Sequence, residues 1–137
     1  MELLWVEAFQ EQPPEMSPIA AMRAGLHAGF ARMGEAEWAQ MHEMTQLAMT
    51  VPAVRARMLA ELARTTQGLA EAVAERPGRD PGDFAVRTLA GAVVGVAMAA
   101  YFGEASDFMA LDDQTQLATF ADKLERGLAL LEAGLPL

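Results

Sequence analysis

No cysteine occurs in the 137 residues, so disulfides, thiolate nucleophiles and Cys-held zinc are excluded outright. A thiol-free chain also fits a cytoplasmic, bacterial setting. Positive charge is scarce. Ten Lys and Arg face nineteen Asp and Glu, giving a net charge of −9 and a pI near 4.6. A nucleic-acid surface needs clustered cations to replace the counterions on phosphate. Here the densest group is only Arg55, Arg57 and Arg64, so the chain is not expected to hold DNA by itself, or to be drawn to anionic lipid. Met1 is followed by Glu2, an acid where a secretory leader needs a positive start. The longest apolar run, Leu89 to Phe102, is 14 residues. A bilayer span needs about 20, so no membrane is expected and the run reads as a buried helix. β-Branched residues are sparse and tyrosine occurs once.

What is abundant favours helix. Ala, Leu, Met, Glu and Arg dominate, and 53% of the residues are hydrophobic, enough to bury a core. Residues 1–11 predict a short helix with Leu4, Trp5, Ala8 and Phe9 on one side, broken by Pro13-Pro14. Ser17 as cap and Pro18 at the first position start a second helix, and Ile19, Met22, Leu26, Phe30 and Met33 form its apolar stripe up to Gly34. A third helix runs from Glu35 to Thr50, with Trp38, Met41, Met44, Thr45 and Ala48 on its apolar side. Val51-Pro52 is a joint, because the residue before proline avoids helical geometry. The fourth runs from Pro52 to Glu75 along Val54, Met58, Leu62, Thr65, Leu69 and Val73. Asp80-Pro81-Gly82-Asp83 signals the start of the fifth, with Asp80 as cap, running to Phe102. A loop from Gly103 to Asp113 follows. The sixth runs from Asp113 to Ala133 along Leu117, Phe120, Leu124, Leu128 and Leu131, and stops at Gly134 and Pro136. The expectation is an all-α bundle in a single domain over 1–137.

The fifth helix is apolar nearly all round and rich in small residues, with Gly91 and Gly95 one turn apart. Such a helix must be covered nearly all round. It is either the central helix of a monomer or is covered in part by a second copy of the chain. Paired with the sixth helix, it predicts a two-helix surface suited to a two-fold contact. The residues expected there are Gly91, Val93, Gly95, Val96 and Ala100, with Leu117, Phe120, Leu124, Leu128 and Leu131.

The order of pieces resembles a known family. Ala36-Glu37-Trp38-Ala39 through Val51-Pro52-Ala53-Val54-Arg55-Ala56-Arg57 is similar to the middle of a TetR-type C-terminal domain. So are Leu69-Ala70-Glu71-Ala72-Val73-Ala74-Glu75-Arg76 with Gly78-Arg79-Asp80-Pro81, the small-residue helix, and Leu128-Ala129-Leu130-Leu131-Glu132-Ala133-Gly134-Leu135. The subgroup it most resembles is that of mycofactocin-type regulators, with an acyl-CoA-like ligand domain. The resemblance covers the chain from about Trp5 onward. It implies that the last two helices, 81–135, form a homodimer interface, and that the helices before them enclose a pocket for a small apolar or acyl-like effector. Effector binding would then alter the separation of two DNA-reading heads. Nothing in the sequence corresponds to the family's helix-turn-helix domain, and residues 1–11 resemble the linker helix that follows it. The expectation is a fragment, or a gene product that has lost its DNA reader, able to meet DNA only through that missing domain.

Methionine is plentiful, at ten residues, and several of the ten fall on the apolar stripes. Met22, Met41 and Met58 lie on three successive helices, and methionine suits both a plastic cavity and ordinary core filling. With Leu26, Phe30, Trp38, Thr45, Leu62, Thr65 and Tyr101 they are the expected pocket residues. The threonines have a second reading, a hydroxyl bonded back to its own helix. His27 and His42, the only histidines, lie beside their stripes without converging carboxylates. Neither a metal nor a cofactor is expected. No nucleophile motif, phosphate loop or paired buried carboxylates speak for catalysis. A stand-alone helical protein that holds a partner helix remains the alternative.

Overall fold

A computed structural model describes residues 2–76, 78–102 and 113–136. Among these the chain forms six helices and no strand: α1 (Glu2–Gln10), α2 (Pro18–Arg32), α3 (Glu35–Thr50), α4 (Pro52–Glu75), α5 (Phe84–Phe102) and α6 (Asp113–Glu132). The all-α fold read from caps and breaks is the fold observed. The side chains of Leu4 and Trp5, and the loop expected after Gly103, lie outside the described residues.

Local chemistry sets most boundaries. Ser17 is extended (φ −60°, ψ 152°), and its hydroxyl accepts the Ala20 N–H at 3.3 Å, with Pro18 at the first helical position. Val51, held extended by Pro52, both ends α3 and begins α4. Its neighbour Arg55 donates to the carbonyls of Ala48 and Met49 at 3.0 Å each, occupying acceptors that the end of α3 leaves open. Two helices end in the same way. Arg79 N–H reaches Ala74 O at 2.8 Å with Gly78 at φ 66°, and Leu135 N–H reaches Leu130 O at 2.8 Å with Gly134 at φ 84°. Both turns need a left-handed residue, which glycine supplies.

The start of α5 differs from expectation. Asp80 does not cap it. Its carboxylate turns back onto the Gly82 N–H at 2.7 Å, and Asp83 takes the cap, accepting from Ala85 N–H at 2.9 Å. Both aspartates have the right chemistry. The turn made by the first hands the helix start to the second.

α1 packs on α2 and α4; α2 and α3 on α6; α3 and α5 on α4; and α5 on α6. Two contacts depend on glycine. A Cβ on Gly25 would stand 2.8 Å from both the backbone N and Cα of Phe9, so α1 lies directly on α2. A Cβ on Gly127 would run into the Val96 methyl, which fixes the approach of α6 to α5. Arg76, beyond the end of α4, ties down the α1–α2 connection. Its guanidinium lies 5.2 Å from the centre of the Phe9 ring and donates to the carbonyls of Phe9 (3.4 Å), Gln12 (3.2 Å), Met16 (3.3 Å) and Pro13. Arg76→Met keeps the length of the stem and removes the donors. It is expected to cost about 2 kcal/mol in urea unfolding, and an unchanged midpoint would show the connection to be held by other means.

Burial chooses between the two readings of α5 and shows which way the α6 stripe faces. α5 is not the central helix: only 28% of its apolar stretch Phe84–Tyr101 is buried within the chain, and Gly91 and Gly95 face open space. The stripe of α6 turns inward. Phe120, Leu124 and Leu128 are buried in the chain's own core, as are Val93 and Ala100 of α5. A leucine stripe demands cover, and α2, α3 and α5 already provide it.

Candidate functional site

The inward faces of five helices do not close completely. They leave a cavity of about 260 Å3 bounded by Met22, Leu26, Phe30 and Met33 of α2, Met41 of α3, Thr65 and Leu69 of α4, Val93, Val94 and Ala97 of α5, and Phe120 and Leu124 of α6. Among the described residues Thr65 is the one polar residue of the wall, and no charged side chain lines it. Phe30 and Phe120 meet edge-to-face at 5.4 Å. A void with such walls suits an apolar guest with little need for directed polar contacts.

The expected pocket residues divide. Met22, Leu26, Phe30, Met41 and Thr65 line the cavity. Trp38 and Tyr101 stand behind its wall, with their rings 5.6 and 5.9 Å from that of Phe120. Thr45 belongs to a polar chain beside them. Met58 and Leu62 are half-buried farther along α4 and do not line the cavity. Leu69, Val93, Val94 and Ala97 were not foreseen as pocket residues. The α4 stripe contained Leu69, but α5, apolar on every side, gave no periodicity to pick a face.

Behind the cavity runs a chain of hydrogen bonds. His42 stands between Gln46, whose Nε2 is 3.1 Å from its Nε2, and the Tyr101 hydroxyl, 3.0 Å from its Nδ1. Tyr101 is hydrogen-bonded to Thr45, whose own hydroxyl donates to Met41 O at 2.9 Å. The chain fixes α5 to α3 and accounts for the polar groups there, except the indole Nε1 of Trp38. That atom is buried without a partner among the described residues. Burial pushes the Tyr101 phenol above its ordinary value of 10.0, against a smaller lowering by Thr45. The neutral form is therefore favoured by folding. Its contribution is complete below pH 10 and is lost as pH rises through the raised folded value. Stability is expected to fall above pH 10, and Tyr101→Phe should flatten that limb in melts recorded from pH 8 to 11. An equally steep limb in the variant would assign it to other groups.

A second feature lies on the outside. α5 shows open space at Gly91 and Gly95, and Met98 is exposed. Between α5 and α6 runs a shallow groove of about 440 Å3, floored by Val96, Ala99 and Gly127 and flanked by Lys123, Arg126 and Leu130. Val96, Leu117 and Leu131 are half-buried. Of the residues expected at an interface, Gly91 and Gly95 are the ones that stand open. Over Phe84–Tyr101 α5 is also long and apolar enough to cross a bilayer, with a mean hydropathy of 1.6. Yet the helix packs on α4 and α6, and Arg87 interrupts the stretch.

Among the described residues no group of three or more His, Asp or Glu converges as a metal site would require. Arg23 of α2 is held by two carboxylates of α6, at 2.9 Å from Nε to Glu125 and 2.6 Å from Nη1 to Glu132. Those hydrogen bonds, that to Glu125 first, raise its pKa above the ordinary arginine value. The arrangement binds α2 to α6 and leaves no free cation.

The family model described as the MftR C-terminal domain, of the TetR C-terminal class, matches residues 16–136. No curated protein matches the chain, and no solved structure does. α1 precedes the matched residues and α2 to α6 fall within them. TetR C-terminal domains bind small-molecule effectors and dimerise. Matched over most of its length, the chain belongs to the TetR-type C-terminal domains of the mycofactocin-regulator kind, which are regulatory rather than catalytic.

Proposed function

We propose that the cavity is an effector site for a small apolar or acyl-like molecule, and that two copies of the chain pair through the open face of α5 with the adjoining edge of α6. The observation that carries this reading is the cavity itself, an apolar void shared by five helices in a chain of a family that senses ligands. The cavity is partly open to solvent, and an apolar concavity of about 260 Å3 is of the kind that takes a small apolar guest. The pairing face supports the same reading. An apolar stretch such as Phe84–Tyr101, with Gly91, Gly95, Met98 and Ala99 exposed, offers a contact surface to another apolar body. Gly91 and Gly95 let a second helix approach closely. Met98, Ala99 and Leu130 take the place of the inward-turned Val93, Phe120, Leu124 and Leu128 at that face. Occupancy would shift the helices around the cavity and thereby the spacing of two helix-turn-helix domains.

The test fills the site. Ala97 lies on the cavity wall, so Ala97→Phe directs a ring into the void. Limonene and decanoyl-coenzyme A are suitable probes. The unmodified protein is expected to melt several degrees higher with at least one of them in excess, as binding to the folded state alone requires. Ala97→Phe is expected to melt no lower than the parent and to lose that increment. A variant that still responds fully would place the site elsewhere.

A further inference from the structure

We propose that the cavity selects a compact, uncharged, mostly hydrocarbon molecule bearing one hydrogen-bonding oxygen, and that Thr65 is the residue that selects it. This rests on the reading of the cavity as the effector site. Three observations on the chain lead to it.

The first is the state of the Thr65 hydroxyl. Thr45, Thr66 and Thr88 each donate to the carbonyl one turn back, at 2.9, 2.8 and 2.7 Å, and Thr50 donates to Leu47 O at 3.4 Å. That back-bond is the ordinary fate of a helical threonine. Thr65, next to Thr66 on the same helix, makes no such bond and has no side-chain partner among the described residues. Nor is its oxygen sealed in the core. Thr65 lines the cavity, and its hydroxyl, able to donate and accept, is committed to no other group among the described residues.

The second is size. A void of about 150 Å3 takes a benzene ring. By that measure the 260 Å3 inside the walls of this partly open cavity takes roughly ten non-hydrogen atoms, the size of a monoterpene or a small substituted arene.

The third is charge. The wall has no cation. Arg23, which sits beside Leu26, Phe30 and Leu124, is held by Glu125 and Glu132, two carboxylates against one guanidinium. An anionic head seated against this apolar wall would give up part of its water, would find no cation among the described lining residues, and would have a net negative cluster nearby. A carbonyl or hydroxyl loses far less and is met by Thr65.

The experiment titrates the full chain by calorimetry with limonene, carvone and decanoate, which stand for hydrocarbon, ketone and carboxylate on skeletons of ten carbons. Carvone is expected to bind about three- to tenfold more tightly than limonene, the range one neutral hydrogen bond supplies, and decanoate at least tenfold more weakly than limonene. Thr65→Val, close to isosteric, is expected to bring the carvone-to-limonene ratio to about one while limonene binds as before. Thr65→Ser is expected to restore the preference. A ratio that survives in Thr65→Val, or decanoate binding as tightly as carvone, would overturn the proposal and leave the effector site standing. Binding by none of the three probes would overturn both.

Discussion

Gly95→Leu is expected to separate the paired chains while leaving each chain folded. Within one chain a Cβ at Gly95 meets nothing within 4 Å, so the larger side chain creates no internal clash. Leucine is also the better helix former, by about 0.8 kcal/mol, and the isolated fold should melt at the same temperature or slightly higher. Any cost must then arise between chains. If α5 meets its copy across a two-fold axis, each leucine intrudes once on either side, so the penalty is incurred twice. The dimer dissociation constant is expected to rise at least a hundredfold, equivalent to about 2.7 kcal/mol. Sedimentation of parent and variant at matched concentrations reads it directly. A variant as dimeric as its parent would move the interface off this ridge, and a monomeric parent would remove it altogether.

Gly25→Ala should have the opposite signature, a damaged chain whatever its partners. Helix propensity alone predicts a gain of about 1 kcal/mol from replacing a mid-helix glycine by alanine. Packing reverses the sign. The new methyl would lie 2.8 Å from backbone atoms of Phe9, and backbone cannot turn aside as a side chain can. Either α1 lifts from α2 or α2 bends, and overpacking of this kind costs about 1–3 kcal/mol. Thermal melts should show a loss of several degrees, and amide exchange should quicken through Glu2–Gln10 before it does so elsewhere. Gly91→Ala, whose Cβ would meet nothing within 4 Å, is the control. It should be neutral or stabilising in the isolated chain. Equal behaviour of the two variants would mean that the α1–α2 contact is softer than the geometry implies.

The sequence made the helices legible wherever a boundary depends on a few adjacent residues. Ser17-Pro18 and Val51-Pro52 act within one turn, and α2 and α4 begin, and α3 ends, where they predict. Asp80 and Asp83 show where such reading stops. Either could cap a helix, and only the folded turn reveals that the first spends its carboxylate on Gly82. The direction of the α6 stripe was hidden for a different reason. A row of leucines states that it must be covered, but not whether the cover comes from the same chain. Phe120 and Leu124 therefore read as interface residues and turned out to line the cavity. Thr45 and Thr65 had equal standing in the sequence. Whether a threonine hydroxyl folds back or points outward is a single χ1 choice, fixed by neighbours far along the chain.

α2 has two working sides. One presents Met22, Leu26 and Phe30 to the cavity, and the other bears Gly25 against the backbone of Phe9. Most joints between helices have play: interposed side chains change rotamer and absorb a small displacement before it travels. At Gly25 there is no side chain to absorb anything. A displacement of α2, were an occupant of the cavity to drive one, would therefore reach α1 with little loss, as through a gear without backlash. Arg76 meanwhile holds the α1–α2 connection to the end of α4, so the motion left to α1 is a tilt about that anchor rather than a slide.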